Sequence, residues 1–309
     1  MRRTGLAAAL VGHLALGAAE AAEKRFVVVA PASGNAFYDA VGEGCRARAA
    51  AVGATCTLIG PGGDDKRTPG QILRALVADR VDGIAVSPAR LDEAAPPLTA
   101  AAAAGIPVVA FDADLPPPLR RAFVGTNARD FGRTLASSLR RWKPAGGRYA
   151  LVGGDPSIAS LADRVVGVRD ALGPGWTEVP GSPAVTTGEA RSAAGLVDRF
   201  LLDQPELDAV ISVGAWPLLD EDAWRDLARR HKERIDRARV VIVVADALPL
   251  QRRLVREGLG HVLVGQRPAD MGARVFETLD ALAAGRRVPE IVYVGFDVLT
   301  RRDLLAQPE

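Results

Sequence analysis

The chain has 309 residues, 48% hydrophobic and 25% charged, which fits a globular protein with one large or two medium domains. Its 39 basic and 37 acidic residues leave a formal charge of +2, without the basic footprint that nucleic-acid binding needs. The three histidines, His13, His231 and His261, have no ligand-like spacing, which argues against a metal site.

The N-terminus reads as a targeting segment. Arg2 and Arg3 precede an apolar run from Leu6 to Gly17, and Ala19-Glu20-Ala21 is a small-x-small cleavage pattern. The run is short for a membrane span, although a retained anchor is the competing reading. No cysteine lies near the cleavage site, which disfavours a lipoprotein. Loss of residues 1–21 removes Arg2, Arg3 and Glu20 and leaves 37 basic against 36 acidic residues. Export would put Cys45 and Cys56 in an oxidising compartment, as either a disulfide or two buried free thiols.

From Phe26 onward, short apolar runs alternate with helical patterns. Phe26–Ala30 is predicted as a strand buried on both faces. Phe37, Val41 and Cys45 share one face of a helix that closes near Gly53. Thr55–Ile59 is a second strand, Gln71–Ala78 a helix and Gly83–Val86 a third strand. The alanine-rich stretch Leu98–Ala104 is helical and leads through Pro107 into a fourth strand ending at Phe111. After Phe123-Val124-Gly125 the rhythm restarts. Helices are expected at Asp130–Trp142, Ile158–Leu172, Glu189–Leu202, Leu218–His231, Leu250–Arg256 and Pro268–Ala284. Strands are expected at Arg148–Val152, Ala209–Val213, Val240–Ala245, His261–Gly265 and Ile291–Val294, with Val185 in a short extended piece. The alternation predicts an α/β fold with parallel sheets in two lobes.

Polar residues fall where strands end. Asn35, Phe37 and Tyr38 follow the first strand, Asp112 and Asp114 the fourth, and Trp216, Asp246 and Gln266 follow strands of the second half. In open parallel sheets, ligands sit at the carboxyl ends of strands. Carboxylates and amides can each engage two adjacent hydroxyls, and aromatic rings can cover the apolar face of a sugar ring. The plainer reading is that Asn35 and Asp246 cap helices and that Asp112 and Asp114 shape a turn. Enzyme signatures are missing: there is no Gly-x-Ser-x-Gly elbow, no Walker A loop and no Gly-x-Gly-x-x-Gly after the first strand. Asp112 and Asp114 as an acid/base pair is the one catalytic alternative.

Several stretches carry a resemblance: Asn35-Ala36-Phe37-Tyr38, Val81 to Pro88, Ala104 to Val109 running into Asp112-Ala113-Asp114, Val124-Gly125-Thr126-Asn127 with Gly132, and Arg164-Val165-Val166-Gly167. In that order and spacing, the chain resembles the periplasmic sugar-binding proteins of ABC importers, of the ribose-binding type, together with their autoinducer- and rhamnose-binding branch. The resemblance implies two Rossmann-like lobes joined by a three-stranded hinge, the type I periplasmic binding protein fold. Residues 22–125 plus 267–289 would form the N-terminal lobe and 126–266 plus 290–309 the C-terminal lobe. Crossovers are expected near Gly125-Thr126, Gly265–Arg267 and Val288-Pro289. By the same resemblance Asn35, Phe37, Tyr38, Asp112, Asp114, Arg164, Trp216, Asp246 and Gln266 contact the ligand.

It also implies a periplasmic location, capture of a small sugar-like or polyol-like ligand, and delivery to ABC permease subunits, with no enzymatic activity and no cofactor. The alternative partner is a membrane histidine kinase ectodomain or chemoreceptor that reads the ligand state. The chain departs from the ribose-type pattern at Ala113, Ala162 and Gly214, where that pattern has Arg, Arg and Asn or Asp. The implied ligand is therefore not ribose.

Overall fold

The computed structural model describes residues 23–307, apart from 63–64, 89 and 187–188. The expected signal peptide lies outside the described residues.

The chain runs β1 (Arg25–Val29), α1 (Ala36–Ala50), β2 (Thr55–Ile59), α2 (Pro69–Ala78), β3 (Gly83–Val86), α3 (Leu91–Ala103), β4 (Val108–Phe111) and β5 (Ala122–Gly125). It continues through α4 (Ala128–Trp142), β6 (Gly147–Val152), α5 (Ala159–Leu172), β7 (Trp176–Glu178), α6 (Ala190–Asp203) and β8 (Ala209–Ser212). Then come α7 (Glu221–Arg230), α8 (Lys232–Asp236), β9 (Val241–Ala245), α9 (Pro249–Arg256), β10 (Val262–Gln266), α10 (Pro268–Ala283), β11 (Ile291–Tyr293), β12 (Phe296–Thr300) and α11 (Arg301–Leu305).

These strands form two six-stranded sheets, in the orders β11-β5-β4-β3-β1-β2 and β12-β10-β9-β8-β6-β7. Every described pairing is parallel except β10 with β12. Burial on both faces explains the apolar strands. In β1, Phe26 and Val28 enter a core with α1 and α10, while Val27 and Val29 enter the opposite core with α2 and α3. In the second sheet, Val210 and Ile242 face one core, and Ala209, Ile211 and Val241 face the other.

Local chemistry sets the helix starts. The Asn35 side chain accepts from the Phe37 amide at the head of α1, Thr68 and Gln71 form a capping box on α2, and Asn127 caps α4. Cys45 on α1 and Cys56 on β2 form a disulfide with Cα atoms 5.8 Å apart, which resolves the alternative the sequence left open.

The chain passes between the sheets three times. It leaves β5 for α4 through Thr126-Asn127 and returns from β10 to α10 through Arg267. The third passage corrects an expectation. β11 pairs with β5, and the Val294 amide still donates to the Gly125 carbonyl, so residues 290–293 belong with the first sheet. Gly295 is the third crossover, six residues beyond Pro289. Phe296 already pairs with Gln266 of the second sheet.

Two smaller differences concern helix starts. α3 starts at Leu91, before the expected Leu98, and carries Pro96 and Pro97 within it. The single helix expected over 218–231 is a 3-10 turn at Trp216–Leu218 followed by α7, because Asp220 accepts from the Ala223 amide and starts a new helix.

Candidate functional site

The carboxyl ends of the two sheets face each other at the crossovers. Asp112 follows β4 and Asp246 follows β9, and their environments mirror each other. Both have left-handed backbones, with φ of 60° and 69°. The Asp112 amide donates to Val124 of β5, and the Asp246 amide donates to Val264 of β10. In each lobe the strand thus ends by hooking onto its neighbour, which turns the aspartate out over the strand ends. A left-handed conformation at a residue other than glycine is a strained feature that concentrates at functional sites.

Each carboxylate is held by its own polar group. Asp112 Oδ2 accepts from the Tyr38 hydroxyl at 2.9 Å and from Ser87 Oγ at 3.3 Å. Asp246 Oδ1 accepts from Gln266 Nε2 at 2.8 Å, and Gln266 Oε1 accepts from Thr126 Oγ1 at 2.8 Å. Thr126 and Gln266 stand at the first two crossovers, so this chain of bonds fixes which end of the amide faces Asp246. Arg267 forms a two-point pair with Asp297 of β12, which ties the second crossover to the strand after the third.

The lobes feel each other electrostatically. Burial pushes the Asp112 carboxyl above the ordinary carboxylate range. The Tyr38 hydrogen bond and the Arg164 guanidinium pull it back, and the Asp246 charge pushes it further up. Burial and the charge of Asp112 also raise the Tyr38 hydroxyl. Charges from opposite lobes therefore act on one small volume.

Arg164, on α5, is buried. Its Nη1 donates to the Val213 carbonyl at 2.8 Å, its guanidinium lies 4.4 Å above the Phe131 ring, and its Nε has no hydrogen-bond partner among the described residues. Arg164 lies within electrostatic reach of Asp112. Trp216 follows β8, and its six-membered ring lies over Gly154 and Gly214. A Cβ on either glycine would stand 2.5 Å from its Cη2. The side chain missing at Gly214 is missing because an indole occupies its space.

Tyr38, Asp112, Arg164, Asp246 and Gln266 are brought together, with Trp216 alongside at the ends of β6 and β8. Ser87 and Thr126 join them and had not been anticipated. Each is the first polar residue after an apolar strand, the signal that had pointed to the aspartates. Phe37 is buried in the first lobe's core, edge-on to Tyr38 at 5.2 Å between ring centres. Asn35 spends its side-chain oxygen on capping α1. Asp114 is not part of the cluster. Both of its oxygens accept from the buried Arg120, at 2.5 and 2.9 Å, and this shapes the loop before β5.

Beside the cluster, a crevice of about 560 Å³ runs between the lobes, lined by Ala36, Asp39, Leu248, Pro249 and Gln266 among others. That size suits a small molecule. Among the described residues, no group of three or more His, Cys, Asp or Glu could hold a metal ion. Among the same residues, no helix is long and apolar enough to cross a membrane.

Two α/β lobes, linked by three strands and facing each other with polar strand ends, define a two-lobed binding protein. The family model described as a periplasmic binding protein domain matches residues 26–287, and the chain belongs to that family. No curated protein sequence matches the chain. A glucose-galactose binding protein from Geobacillus stearothermophilus superposes with a TM-score of 0.78 at 25% identity, covering 91% of this chain and 99% of that one. An ABC transporter solute-binding protein from Burkholderia graminis, in complex with D-arabinose, gives 0.80 at 22% identity, covering 93% and 98%. The XylFII-LytSN complex contains a chain that gives 0.74 at 20% identity, covering 91% and 99%.

Proposed function

We propose that the protein is an exported solute-binding protein that closes its two lobes on a small sugar-like or polyol-like ligand and hands it to an ABC permease. One observation carries this reading. Asp112 and Asp246, one from each lobe, take the same left-handed position at a strand end, each held by a polar partner. Paired acceptors of that kind suit neighbouring hydroxyls of a polyol, and Arg164 Nε is a buried donor with no partner among the described residues. Asp112, Asp246, Arg164, Tyr38 and Gln266 would make the polar contacts. Ser87 and Thr126 would hold Asp112 and Gln266 in place. Hinge closure through Thr126, Arg267 and Gly295 would bring the halves together.

Membership of the periplasmic binding family, the Cys45–Cys56 disulfide and the signal-like residues 1–21 together support a periplasmic location. The solved structures named with glucose-galactose and D-arabinose support the ligand class. Titration against a carbohydrate and polyol panel, followed by tryptophan fluorescence, tests the reading. A saturable response to at least one member is expected, and silence across the panel and a wider metabolite set would overturn it.

A second reading, presentation of the bound state to a sensor kinase ectodomain, has support from the two-protein XylFII-LytSN complex among the similar structures. Capture of a kinase ectodomain by the liganded protein, with no capture of a permease, would favour it.

A further inference from the structure

We propose that Gln251 is a positioning residue for ligand capture: its buried amide sets the loop Ala245–Leu248, so that Asp246 meets the ligand and Leu248 meets the first lobe together. This rests on the solute-binding reading proposed above and adds the element that couples ligand contact to closure.

Gln251 is the third residue of α9 and is fully buried. Its Nε2 donates to the Ala245 carbonyl at 2.9 Å, and its Oε1 accepts from the Leu248 amide at 2.9 Å. One side-chain amide thus bridges the backbone on either side of Asp246 and Ala247. Its nitrogen meets an acceptor and its oxygen a donor, which fixes the orientation of the amide. Two further contacts hold the same loop. The Asp246 amide donates to the Val264 carbonyl, and Ala247 lies so close over Gly265 that a Cβ there would stand 2.6 Å from the Ala247 Cβ. Asp246 keeps its left-handed backbone, with φ of 69°, because these surroundings dictate it.

The loop faces both lobes. Ala247 and Leu250 pack against the second lobe's core, whereas Leu248 packs against the first lobe's core, which includes Phe37 and Val41 of α1. Leu248 and Pro249 also line the interlobe crevice together with Ala36 and Ala40 of the first lobe. Two residues after the ligand carboxylate, the chain therefore makes an apolar contact across the cleft. Pro249 opens α9 with a fixed φ, so the direction of Leu248 is set by the loop before it. Without the Gln251 amide, the Ala245 carbonyl and the Leu248 amide lose their shared partner, and the strained turn at Asp246 loses a support. The loop then samples other conformations, and affinity falls with the fraction of molecules that remain competent.

The experiment uses the best binder from a carbohydrate and polyol panel that includes D-glucose, D-galactose and D-arabinose. Calorimetry gives its affinity and stopped-flow fluorescence its dissociation rate. Gln251→Met keeps the length of the side chain and removes both hydrogen bonds. Its affinity is expected to fall at least about tenfold, as for a loop competent in about one molecule in ten. Leu248→Ala removes the contact with the first lobe and should speed dissociation about tenfold. The double variant Gln251→Met/Leu248→Ala should bind within about twofold of Gln251→Met, because an unheld loop no longer docks Leu248. Losses that multiply in the double variant overturn the inference. So does a Gln251→Met protein of lowered thermal stability whose affinity stays within about threefold of the natural one, which would leave Gln251 a structural residue. Should Gln251→Met fail to fold, Leu248→Ala decides, and an unchanged dissociation rate overturns the inference. In each of these cases the solute-binding reading stands. Failure of every panel member to bind the natural protein overturns both.

Discussion

Asp112→Asn separates the binding role of this carboxylate from its role in the fold. In the natural protein one oxygen accepts from Tyr38 and Ser87, while burial and the Asp246 charge disfavour ionisation. A carboxyl whose pKa is raised in the fold binds its proton more tightly there than in the unfolded chain. Its ionised form therefore subtracts stability above the ordinary carboxylate range, and that stability returns as pH falls through the raised value. Asparagine keeps the shape and an acceptor for Tyr38 and carries no charge, so the variant should be at least as stable as the natural protein at pH 7.

Binding should move the other way. A hydrogen bond to an ionised acceptor is worth about 1.5–3 kcal/mol, and roughly half of that is lost with a neutral one. Two ligand hydroxyls on Asp112 would then lose about 1.5–3 kcal/mol together, on the order of 10- to 150-fold in affinity. Thermal unfolding at pH 7 and calorimetric titration with the best panel ligand read the two effects. Affinity within threefold of the natural protein, together with lowered stability, would refute the reasoning and leave Asp112 a structural residue.

Other outcomes follow from other parts of the chain. Removing the disulfide as Cys45→Ala/Cys56→Ala opens a loop of 11 residues and should cost about 3 kcal/mol in urea unfolding, with ligand affinity unchanged. His261 is buried, with Nδ1 accepting from the Ile242 amide and Nε2 facing the Ile235 carbonyl, and burial lowers its pKa to about 4. The unfolded chain therefore takes up this proton first, and stability should fall by roughly 3 kcal/mol as pH drops from about 6.5 to 4. His261→Asn should flatten that slope in pH-dependent unfolding. In Gly272→Ala, the new methyl would stand 1.9 Å from the Val41 carbonyl, so α1 and α10 must separate. A loss of about 1–3 kcal/mol in denaturant unfolding is expected, with little change in affinity.

Much of the fold was legible because central strands buried on both faces read as unbroken apolar runs, as in Phe26–Val29 and Val241–Val244. The two strands around the third crossover gave less to read, although β11 was expected as a strand. β11 exposes Ile291 and Tyr293, and β12 is an antiparallel edge strand that buries little beyond Leu299, so neither carries a core pattern. That is why the third crossover was placed too early.

Asp112, Asp246 and Gln266 could be found from their places after strands. The hold that Val213 and Phe131 have on Arg164 was not legible, because it depends on how α5 packs against β8 and α4 and not on spacing along the chain. The relation of Trp216 to Gly214 was likewise hidden, since a ring lying over a glycine two residues away leaves no spacing signature. Asp114 shares the strand-end position of Asp112, but Arg120, six residues on, holds both of its oxygens.

The central claim is that carboxylates from both lobes hold one hydroxylated ligand. Native mass spectrometry of the protein incubated with the sugar and polyol panel tests it most directly, run beside an Asp112→Asn/Asp246→Asn variant of equal thermal stability. A single bound adduct of carbohydrate mass on the natural protein, lost from the variant, is the predicted result. The same adduct at equal occupancy on both proteins, or none on either, would contradict the account.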